Sequence, residues 1–233
     1  MKLSVIVPAY NEEKLIVSHM LEISEFLLKN SITYEILVVD DGSTDRTVLL
    51  LKSAKIRGVR VLQLTRNYGK GYAVRTAALE AKGDFLLLCD VDLSTPIRYV
   101  LDFLGKTSQF DIIIASRSLM NSQTQTRFHK KLLGRLSWLI IHIFIVKHIK
   151  DTQCGFKLFS RKTVPLLFEK QTIRRWGFDF ELLFLAQKQG LRILEYPVTW
   201  VENTDSKVTL SDYPKTLLEI FKVRYADFRG RYK

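Results

Sequence analysis

The stretch at residues 84–92 reads DFLLLCDVD, in which an unbroken apolar run leads directly into two aspartates. A run without polar alternation predicts a strand buried on both faces, as in parallel sheets that helices cover. Similar runs recur before residue 118, and helical patterns separate them. The predicted strands are Leu3–Val7, Tyr34–Val39, Val59–Leu64, Asp84–Cys89 and Asp111–Ala115. This alternation predicts an α/β fold with a mostly parallel sheet and helices on both faces.

Helical patterns fill the intervals between these strands and return near the end of the sequence. They are predicted over about Glu12–Lys29, from about Asp45, over Gly71–Lys82, after Pro96, near Asp179–Gln189 and from about Asp212 onward. One further strand is predicted near Arg192–Tyr196. No linker separates the two halves of the sequence, so we predict one domain over residues 1–233.

The composition points to a folded protein with an anionic partner. Of the 233 residues, 47% are hydrophobic, which disfavours disorder, and the formal net charge is +12. Such a charge indicates nucleic acid, an anionic membrane or phosphorylated substrates, and alone it does not choose among them. The alternative is a soluble protein with a basic surface and no such partner. The two cysteines, Cys89 and Cys154, form no CxxC or zinc pattern. We expect two buried reduced thiols, although one disulfide is possible in principle.

Two apolar stretches bear on the expected location of the protein. The N-terminal run is too short for a signal peptide and fits a first strand better. The longest apolar stretch, Leu136–Val146, is interrupted by His142 and is too short to span a bilayer. The sequence therefore predicts a cytoplasmic protein without a transmembrane helix.

Polar clusters follow the predicted strands at the point where each strand ends. They are Tyr10–Glu12, Asp40–Asp41, Arg66–Asn67, Asp90–Asp92 and Ser116–Arg117. In open parallel sheets, ligands bind outside the carboxyl ends of the strands. These clusters therefore predict one binding site along that edge.

Asp90 and Asp92 are the predicted metal ligands. Two carboxylates at one strand end can share Mg²⁺ or Mn²⁺, which takes its other ligands from phosphate and water. Such a metal would offset charge on a leaving diphosphate. The alternative is a helix cap or a solvated turn.

Two further sites suit a nucleotide. Asp40 could accept a hydrogen bond from a base N–H or a ribose hydroxyl, and the alternative is a helix N-cap. We expect Ser43, Thr44 and Asp45 to provide that cap, which would leave Asp40 free. Lys70, between two glycines before a predicted helix, suits phosphate together with exposed backbone amides. The alternative is an ordinary loop.

No GxGxxG follows the first strand and no GxxxxGK[ST] occurs, which argues against dinucleotide dehydrogenases and P-loop NTPases.

Several of these motifs together resemble a known family. Val7–Glu12, Val38–Ser43 and Asp90–Asp92 resemble family 2 glycosyltransferases with the GT-A fold, which is Rossmann-like. Further motifs resemble dolichyl-phosphate β-glucosyltransferases within the polyprenyl-phosphate glycosyltransferases. They are Arg66–Gly71, Asp151–Phe159, Trp176–Leu183 and Asp205–Lys207. The resemblance covers nearly the whole sequence, and the 151–159 block is its most specific part.

The resemblance implies roles for individual residues. Residues 1–117 would bind the nucleotide-sugar, and residues 118–233 would face the acceptor and the membrane. The implied nucleoside contacts are Pro8, Tyr10, Glu12, Val38 and Asp40. Asp90 and Asp92 would hold diphosphate and metal, with Val91 in the same donor site. Arg117 and Lys207 would contact phosphates.

The implied reaction is inverting, metal-dependent transfer of glucose from UDP-glucose to a polyprenyl, dolichyl-type phosphate at a membrane surface. The acceptor phosphate is already ionised, so it needs positioning more than a base. A hydroxyl acceptor would require a base, for which Asp179 is the candidate, and the alternative for Asp179 is a helix cap. Asp92, Arg117 and Asp179 are thus the predicted catalytic residues.

Other functions stay open from the sequence alone. A related transferase could use another donor such as GDP-mannose, or a sugar hydroxyl acceptor. A non-catalytic protein could bind nucleic acid or sugar nucleotides. Strand-end carboxylates would repel a nucleic-acid backbone, and no nucleic-acid motif occurs, so we predict no nucleic-acid partner. Residues 171–176 differ by one residue from the QxxRW signature of processive polysaccharide synthases. Because the sequence also predicts no membrane span, a polymerising enzyme is disfavoured.

A basic apolar segment at Arg127–Lys150 suits an anionic membrane surface. Residues 117–150 contain seven Lys or Arg and no Asp or Glu. We predict an interfacial helix in which Arg127, Lys130, Lys131 and Arg135 meet headgroups or the lipid phosphate. The alternative is a core helix with a solvated basic end. Many dolichyl-phosphate glucosyltransferases carry an N-terminal membrane anchor, whereas this sequence begins at its first strand. We therefore expect peripheral attachment to the cytoplasmic face of a membrane.

Overall fold

A seven-stranded sheet forms the centre of the fold in the computed structural model, which describes residues 2–120, 122–125, 141, 144–201 and 212–233. The strands are β1 (Lys2–Ala9), β2 (Thr33–Asp40), β3 (Val59–Gln63), β4 (Phe85–Cys89), β5 (Ile112–Ser116), β6 (Gln123–Gln125), β7 (Phe156–Ser160), β8 (Ile193–Pro197) and β9 (Thr199–Val201). The helices are α1 (Ile16–Lys29), α2 (Thr47–Ala54), α3 (Lys70–Glu80), α4 (Tyr99–Leu104), α5 (Val164–Leu167), α6 (Phe178–Lys188) and α7 (Asp212–Phe228).

The strand order in the sheet is β3-β2-β1-β4-β7-β5-β8. β1, β2, β3 and β4 run parallel, and β5 runs parallel to β8. β7 lies between β4 and β5 and is antiparallel to both. β6 and β9 form a separate parallel pair. The predicted α/β class and the mostly parallel sheet are therefore confirmed. The elements that the sequence patterns did not predict are β6, the inserted β7, β9 and the short helix α5.

Hydrophobic side chains of the central strands point alternately into two cores, one on each face of the sheet. On β1, Val5 and Val7 face the core that α1 and α4 cover, whereas Ile6 faces the core that α3, α6 and α7 cover. All three side chains are nearly or fully buried. Each such side chain contributes about 1.5–3 kcal/mol to folding. Helices thus cover both faces, as the continuous apolar runs predicted.

Both cysteines are buried free thiols, as expected. Burial raises the pKa of Cys154 to about 11 and that of Cys89 well above its usual value. Among the residues that the structure describes, no helix combines the length and the apolar character that a bilayer span requires.

Candidate active site

The loops that follow β1 and β2 are joined by hydrogen bonds at the carboxyl edge of the sheet. The Asn11 amide donates to Ser43 Oγ at 2.8 Å, and the Thr44 amide donates to Asn11 Oδ1 at 2.8 Å. The Glu12 amide donates to Thr47 Oγ1 at 2.8 Å. Asn11 has a φ of +52°, a conformation that asparagine tolerates better than most residues. These bonds bring Tyr10–Glu12 beside Asp40–Ser43, as the sequence predicted.

Pro8 and Val38 lie on neighbouring strands that lead into these loops. In the β1–β2 register, Val7 is opposite Val38 and Pro8 is opposite Val39. The five residues that the resemblance assigns to the nucleoside therefore share one edge of the sheet.

Asp40 is fully buried, and its carboxylate closes the turn after β2. The Ser43 amide approaches its Oδ1 at 3.2 Å and its Oδ2 at 3.3 Å. Asp40 therefore takes part in the turn, contrary to the expectation, and its role toward a nucleotide stays a prediction. An aspartate at a turn commonly accepts an amide two or three residues on, and that local bond competes with any ligand. Asp45 accepts the Thr47 amide at 2.9 Å, but the N-cap residue of α2 is Arg46, so the cap expected from Ser43, Thr44 and Asp45 was wrong.

Asp41 organises the loop after β3, a role that the sequence patterns did not reveal. Its Oδ1 accepts the Tyr68 amide at 2.8 Å and its Oδ2 accepts the Gly69 amide at 2.9 Å. Burial raises the pKa of this carboxyl. These two amides are therefore used within the loop, whereas the predicted phosphate role of the Lys70 and Gly71 amides, at the start of α3, stays a prediction.

Lys70 begins α3 and extends to the end of β4. Its Nζ lies 2.6 Å from Asp90 Oδ1 and 5.5 Å from the centre of the Trp176 ring. Burial acts to lower the pKa of Lys70, but the carboxylates of Asp90 and Asp179 outweigh it and raise that pKa. Lys70 therefore stays protonated and places a positive charge beside Asp90 at the carboxyl edge of the sheet.

Asp92 is held by the residue two positions later. The Ser94 amide donates to Asp92 Oδ1 at 3.0 Å, and the Ser94 hydroxyl donates to Oδ2 at 2.9 Å. Leu93 between them has a φ of +49°, an uncommon conformation for a leucine. One ring nitrogen of His19 donates to the Val91 carbonyl at 2.7 Å. This loop is thus fixed on both sides of Asp92.

Gly155 forms the floor beneath Asp90. Its carbonyl accepts the Asp90 amide at 3.1 Å, and a Cβ at this position would lie 1.9 Å from Asp90 Oδ2. Only glycine therefore lets this carboxylate take its place. Asp90, Asp92, Ser94, Gly155 and Trp200 line a common pocket.

Asp179, the candidate base, is ion-paired. The Lys157 ammonium contacts Asp179 Oδ1 and donates to the Cys154 carbonyl at 2.6 Å. Lys157 is 0% exposed. Burial raises the pKa of Asp179, and the ammonium groups of Lys157 and Lys70 act in the opposite direction. Asp179 also lies in the first turn of α6 without capping it, so both sequence interpretations miss its main contact.

Arg117 forms a bidentate ion pair with buried Asp151. Its Nε lies 2.7 Å from Oδ2 and its Nη2 lies 2.9 Å from Oδ1. Burial would raise the pKa of Asp151, but the Arg117 guanidinium outweighs it and lowers that pKa. The guanidinium also lies 5.3 Å from the centre of the Trp200 ring, on the wall of the pocket. Asp151 thus holds the Arg117 guanidinium beside Trp200.

Five predicted site residues fall outside the described residues, namely Arg127, Lys130, Lys131, Arg135 and Lys207. Within the described ranges, no three His, Cys, Asp or Glu side chains are placed to hold a metal together. Asp90 and Asp92 line one pocket, and a cation held by two carboxylates would take its other ligands from substrate and water.

Comparison with known proteins identifies the class. The model of the family "Glycosyl transferase family 2" matches residues 4–166. Dolichyl-phosphate β-glucosyltransferase of Drosophila melanogaster is 42% identical over 90% of this chain and 70% of that protein. The proteins of the same name from Homo sapiens and Saccharomyces cerevisiae are 36% and 32% identical, over 89% and 99% of this chain and 69% and 76% of their own lengths.

Solved structures show the same fold. Glucosyl-3-phosphoglycerate synthase from Mycobacterium tuberculosis, in complex with Mn²⁺, UDP-glucose and phosphoglyceric acid, matches with a TM-score of 0.73 at 20% identity. That match covers 97% of this chain and 79% of the other. The same enzyme with Mg²⁺ and UDP matches with a TM-score of 0.71 at 19% identity, over 97% and 78% of the two chains.

The chain is therefore a glycosyltransferase with the GT-A fold. It belongs to glycosyl transferase family 2, and the curated relatives named above are dolichyl-phosphate β-glucosyltransferases. This class agrees with the enzyme that the sequence analysis preferred over the two non-catalytic alternatives.

Proposed function

We propose that this enzyme transfers glucose from UDP-glucose to a polyprenyl, dolichyl-type phosphate, with inversion and with dependence on Mg²⁺ or Mn²⁺. The observation that carries the proposal is the pocket at the end of β4, where Asp90, Asp92 and Lys70 converge. The acceptor class is supported by the relatives, which are dolichyl-phosphate β-glucosyltransferases. The donor and the metal are supported by the structural neighbours, which were solved with Mn²⁺ and UDP-glucose or with Mg²⁺ and UDP.

The residues at this pocket fit a divalent cation. Because Gly155 has no side chain, there is room for the Asp90 carboxylate, and hydrogen bonds from Ser94 fix the two carboxylate oxygens of Asp92. Each carboxylate oxygen accepts more than one contact, so both aspartates can still coordinate a metal. When bound, the cation would offset the charge that develops on the leaving diphosphate. Lys70 would add a second positive charge at the same edge.

The acceptor needs no general base in this scheme. A phosphate oxygen of the lipid attacks the anomeric carbon from the face opposite UDP; the new C–O bond forms as the bond to the diphosphate breaks, and UDP leaves. Arg117, positioned by Asp151, would hold the lipid phosphate. The ion pair between Asp179 and Lys157 supports this assignment, because a paired carboxylate is a poor base for a hydroxyl acceptor.

The direct test is a panel of labelled nucleotide-sugars with a polyprenyl phosphate and Mn²⁺ or Mg²⁺, followed by extraction into organic solvent. We expect label in the organic phase from UDP-glucose, and its loss with EDTA. Product from GDP-mannose alone, or undiminished transfer with EDTA, would contradict the donor or the metal assignment.

Asp40→Ala is expected to weaken UDP binding about fivefold, since one hydrogen bond is worth about 1 kcal/mol. The effect grows if a buried partner stays unpaired. Asp40→Asn is the companion variant, because asparagine keeps an acceptor for the Ser43 amide while removing the charge. Calorimetry should show weaker UDP binding in both variants. A loss confined to Asp40→Ala would assign Asp40 to the turn alone.

We further propose that the enzyme docks peripherally on the cytoplasmic face of an anionic membrane, since a polyprenyl tail stays in the bilayer. The exposed face of α7 supports this docking. It carries an apolar stripe that consists of Leu218, Phe221, Tyr225 and Phe228, each 60–88% exposed. Ile220, Val223 and Ala226 on the opposite face are buried. Residues 215–233 contain six Lys or Arg against two acidic residues, one of them buried. Arg127–Lys150, which lies largely outside the described residues, keeps its predicted role as a second contact.

Replacing the four residues of the apolar stripe with serine is expected to abolish most binding to anionic vesicles. Each nearby Lys or Arg contributes about 1 kcal/mol, and micromolar attachment requires about 8 kcal/mol, so apolar insertion must supply part of it. Vesicle sedimentation measures the bound fraction. The matched control changes Leu49, Leu79 and Leu101, exposed leucines on other helices, to serine. Equal binding by the stripe variant and the control would exclude α7 from the docking surface.

A further inference from the structure

A second cavity lies between the start of α3 and the segment that precedes α6. Its volume is about 550 Å³, part of it open to solvent. Arg75, Arg174 and Arg231 line it together with Tyr72 and Gln171, and no carboxylate is among the lining residues. One buried carboxylate, Glu181, lies behind the wall and accepts the Thr172 and Ile173 amides, each at 2.8 Å. Three guanidinium groups outnumber it, so the cavity is electropositive. The proposed reaction does not use this cavity.

Two of the three arginines are positioned by contacts that leave their charge uncompensated. Arg75 Nε donates to the Phe168 carbonyl at 2.8 Å, and Nη2 donates to the Glu169 carbonyl at 3.3 Å. The Arg174 guanidinium lies 5.6 Å from the centre of the Tyr72 ring. None of the three forms an ion pair with a carboxylate in the described part of the chain. Backbone carbonyls and an aromatic face orient a guanidinium without neutralising it, so the charge stays available to a ligand.

Gln171, which lines the same cavity, has a buried acceptor that points independently to a ligand. It is 7% exposed, and its Nε2 donates to the carbonyls of Gly71 at 2.8 Å and Ile173 at 2.9 Å. Those two bonds fix the orientation of the amide. Its Oε1 has no hydrogen-bond partner among the described residues. Buried polar atoms without a partner are rare in proteins, and each calls for an explanation.

We propose that this cavity binds a phosphate or diphosphate group at a site separate from Asp90 and Asp92. Guanidinium forks match phosphate oxygens in geometry and charge, and two or three of them would surround the anion. A protonated phosphate oxygen, or a hydroxyl attached to the phosphate, would donate to Gln171 Oε1. The source of the phosphate is either a lipid headgroup or a water-soluble phosphate.

The test must keep the donor site out of the measurement, because Tyr72 in the wall of the cavity lies only two residues after Lys70. We would titrate the full chain with inorganic phosphate and with pyrophosphate by calorimetry at low salt, with EDTA present. The double variant Arg174→Gln/Arg231→Gln should lose about tenfold or more in affinity, since charge-assisted hydrogen bonds are the stronger kind. The matched control Arg98→Gln/Arg229→Gln removes the same charge from exposed residues that do not line the cavity.

Equal losses in the two double variants would reduce the effect to general electrostatics and overturn the proposal. Loss of binding in Lys70→Gln, with none in Arg174→Gln/Arg231→Gln, would place the anion in the donor site and also overturn it. A short-chain polyprenyl phosphate in detergent forms the second arm. Arginine-dependent binding of the lipid above that of inorganic phosphate identifies a headgroup site, and binding of the soluble anions alone identifies a free phosphate. Melting curves establish that each variant is folded. None of these outcomes depends on the proposed glucosyl transfer.

Discussion

Asp92→Asn is expected to lower the rate of sugar transfer by about two to four orders of magnitude while the fold survives, by analogy with the loss of one stabiliser of transition-state charge. The substitution keeps the size of the side chain and one oxygen for Ser94, so the loop after β4 has little reason to move. What it removes is the negative charge of a proposed metal ligand.

The measurement is turnover with saturating UDP-glucose over a range of Mn²⁺ concentrations, alongside a melting curve. Asp102→Asn is the matched control, because Asp102 is an exposed residue of α4 outside the pocket. The control should match the unchanged enzyme. Near-normal turnover by Asp92→Asn, with a normal melting curve, would remove Asp92 from the metal site.

Lys157→Met is expected to destabilise the fold by about 3–5 kcal/mol, because it leaves the buried Asp179 carboxylate without its partner. Lys157→Met/Asp179→Leu should recover most of the loss, since apolar pairs often replace a buried ion pair at little cost. Unfolding in urea measures both variants. Arg46→Met, which breaks an exposed pair with Glu13, is the control and should cost less than about 1 kcal/mol.

The pH dependence of the single variant sharpens this test. Burial raises the pKa of Asp179 in the folded enzyme, and Lys157→Met removes a charge that opposes that rise. A carboxyl whose pKa is higher folded than unfolded binds more protons in the folded state, so stability increases as the pH falls. The Lys157→Met variant should therefore regain stability in mild acid. A loss that is small, or independent of pH, would show that Asp179 is hydrated or otherwise paired.

The parts of the site that the sequence could predict are those that depend on local pattern. Continuous apolar runs located β1, β2, β4 and β5, and the rule for parallel sheets placed Asp40, Asp90 and Asp92 at one edge. Periodicity identifies the kind of element and not its place in the sheet. For that reason the antiparallel insertion of β7 between β4 and β5 could not be predicted.

The roles that were missed depend on partners distant in sequence. Asp179 was a candidate base because its ion pair with Lys157 could not be predicted. Lys157 lies on β7, and only the position of β7 in the sheet brings it to Asp179. The use of the Tyr68 and Gly69 amides within the loop could not be predicted, because their acceptor, Asp41, lies 27 and 28 residues earlier. Asp40 is a different case, since its bond to the Ser43 amide is local. An aspartate at a turn could have raised that possibility from the sequence alone.

The insertion of β7 also sets the order in which the sheet can assemble. β5 pairs only with β7 and β8, both of which come later in the chain, whereas β1, β2, β3 and β4 need no later strand to pair with one another. Bringing β7 to β4 closes a loop of about 70 residues, at an entropic cost of about 4 kcal/mol. During synthesis, the apolar edge of β4 therefore stays without its neighbour until residue 160 has emerged, and an unpaired edge of this kind invites aggregation. Gly155, which precedes β7, reaches Asp90 only in that late step. In a nascent chain, the Asp90 backbone therefore lacks its hydrogen bond to the Gly155 carbonyl until β7 has paired with β4.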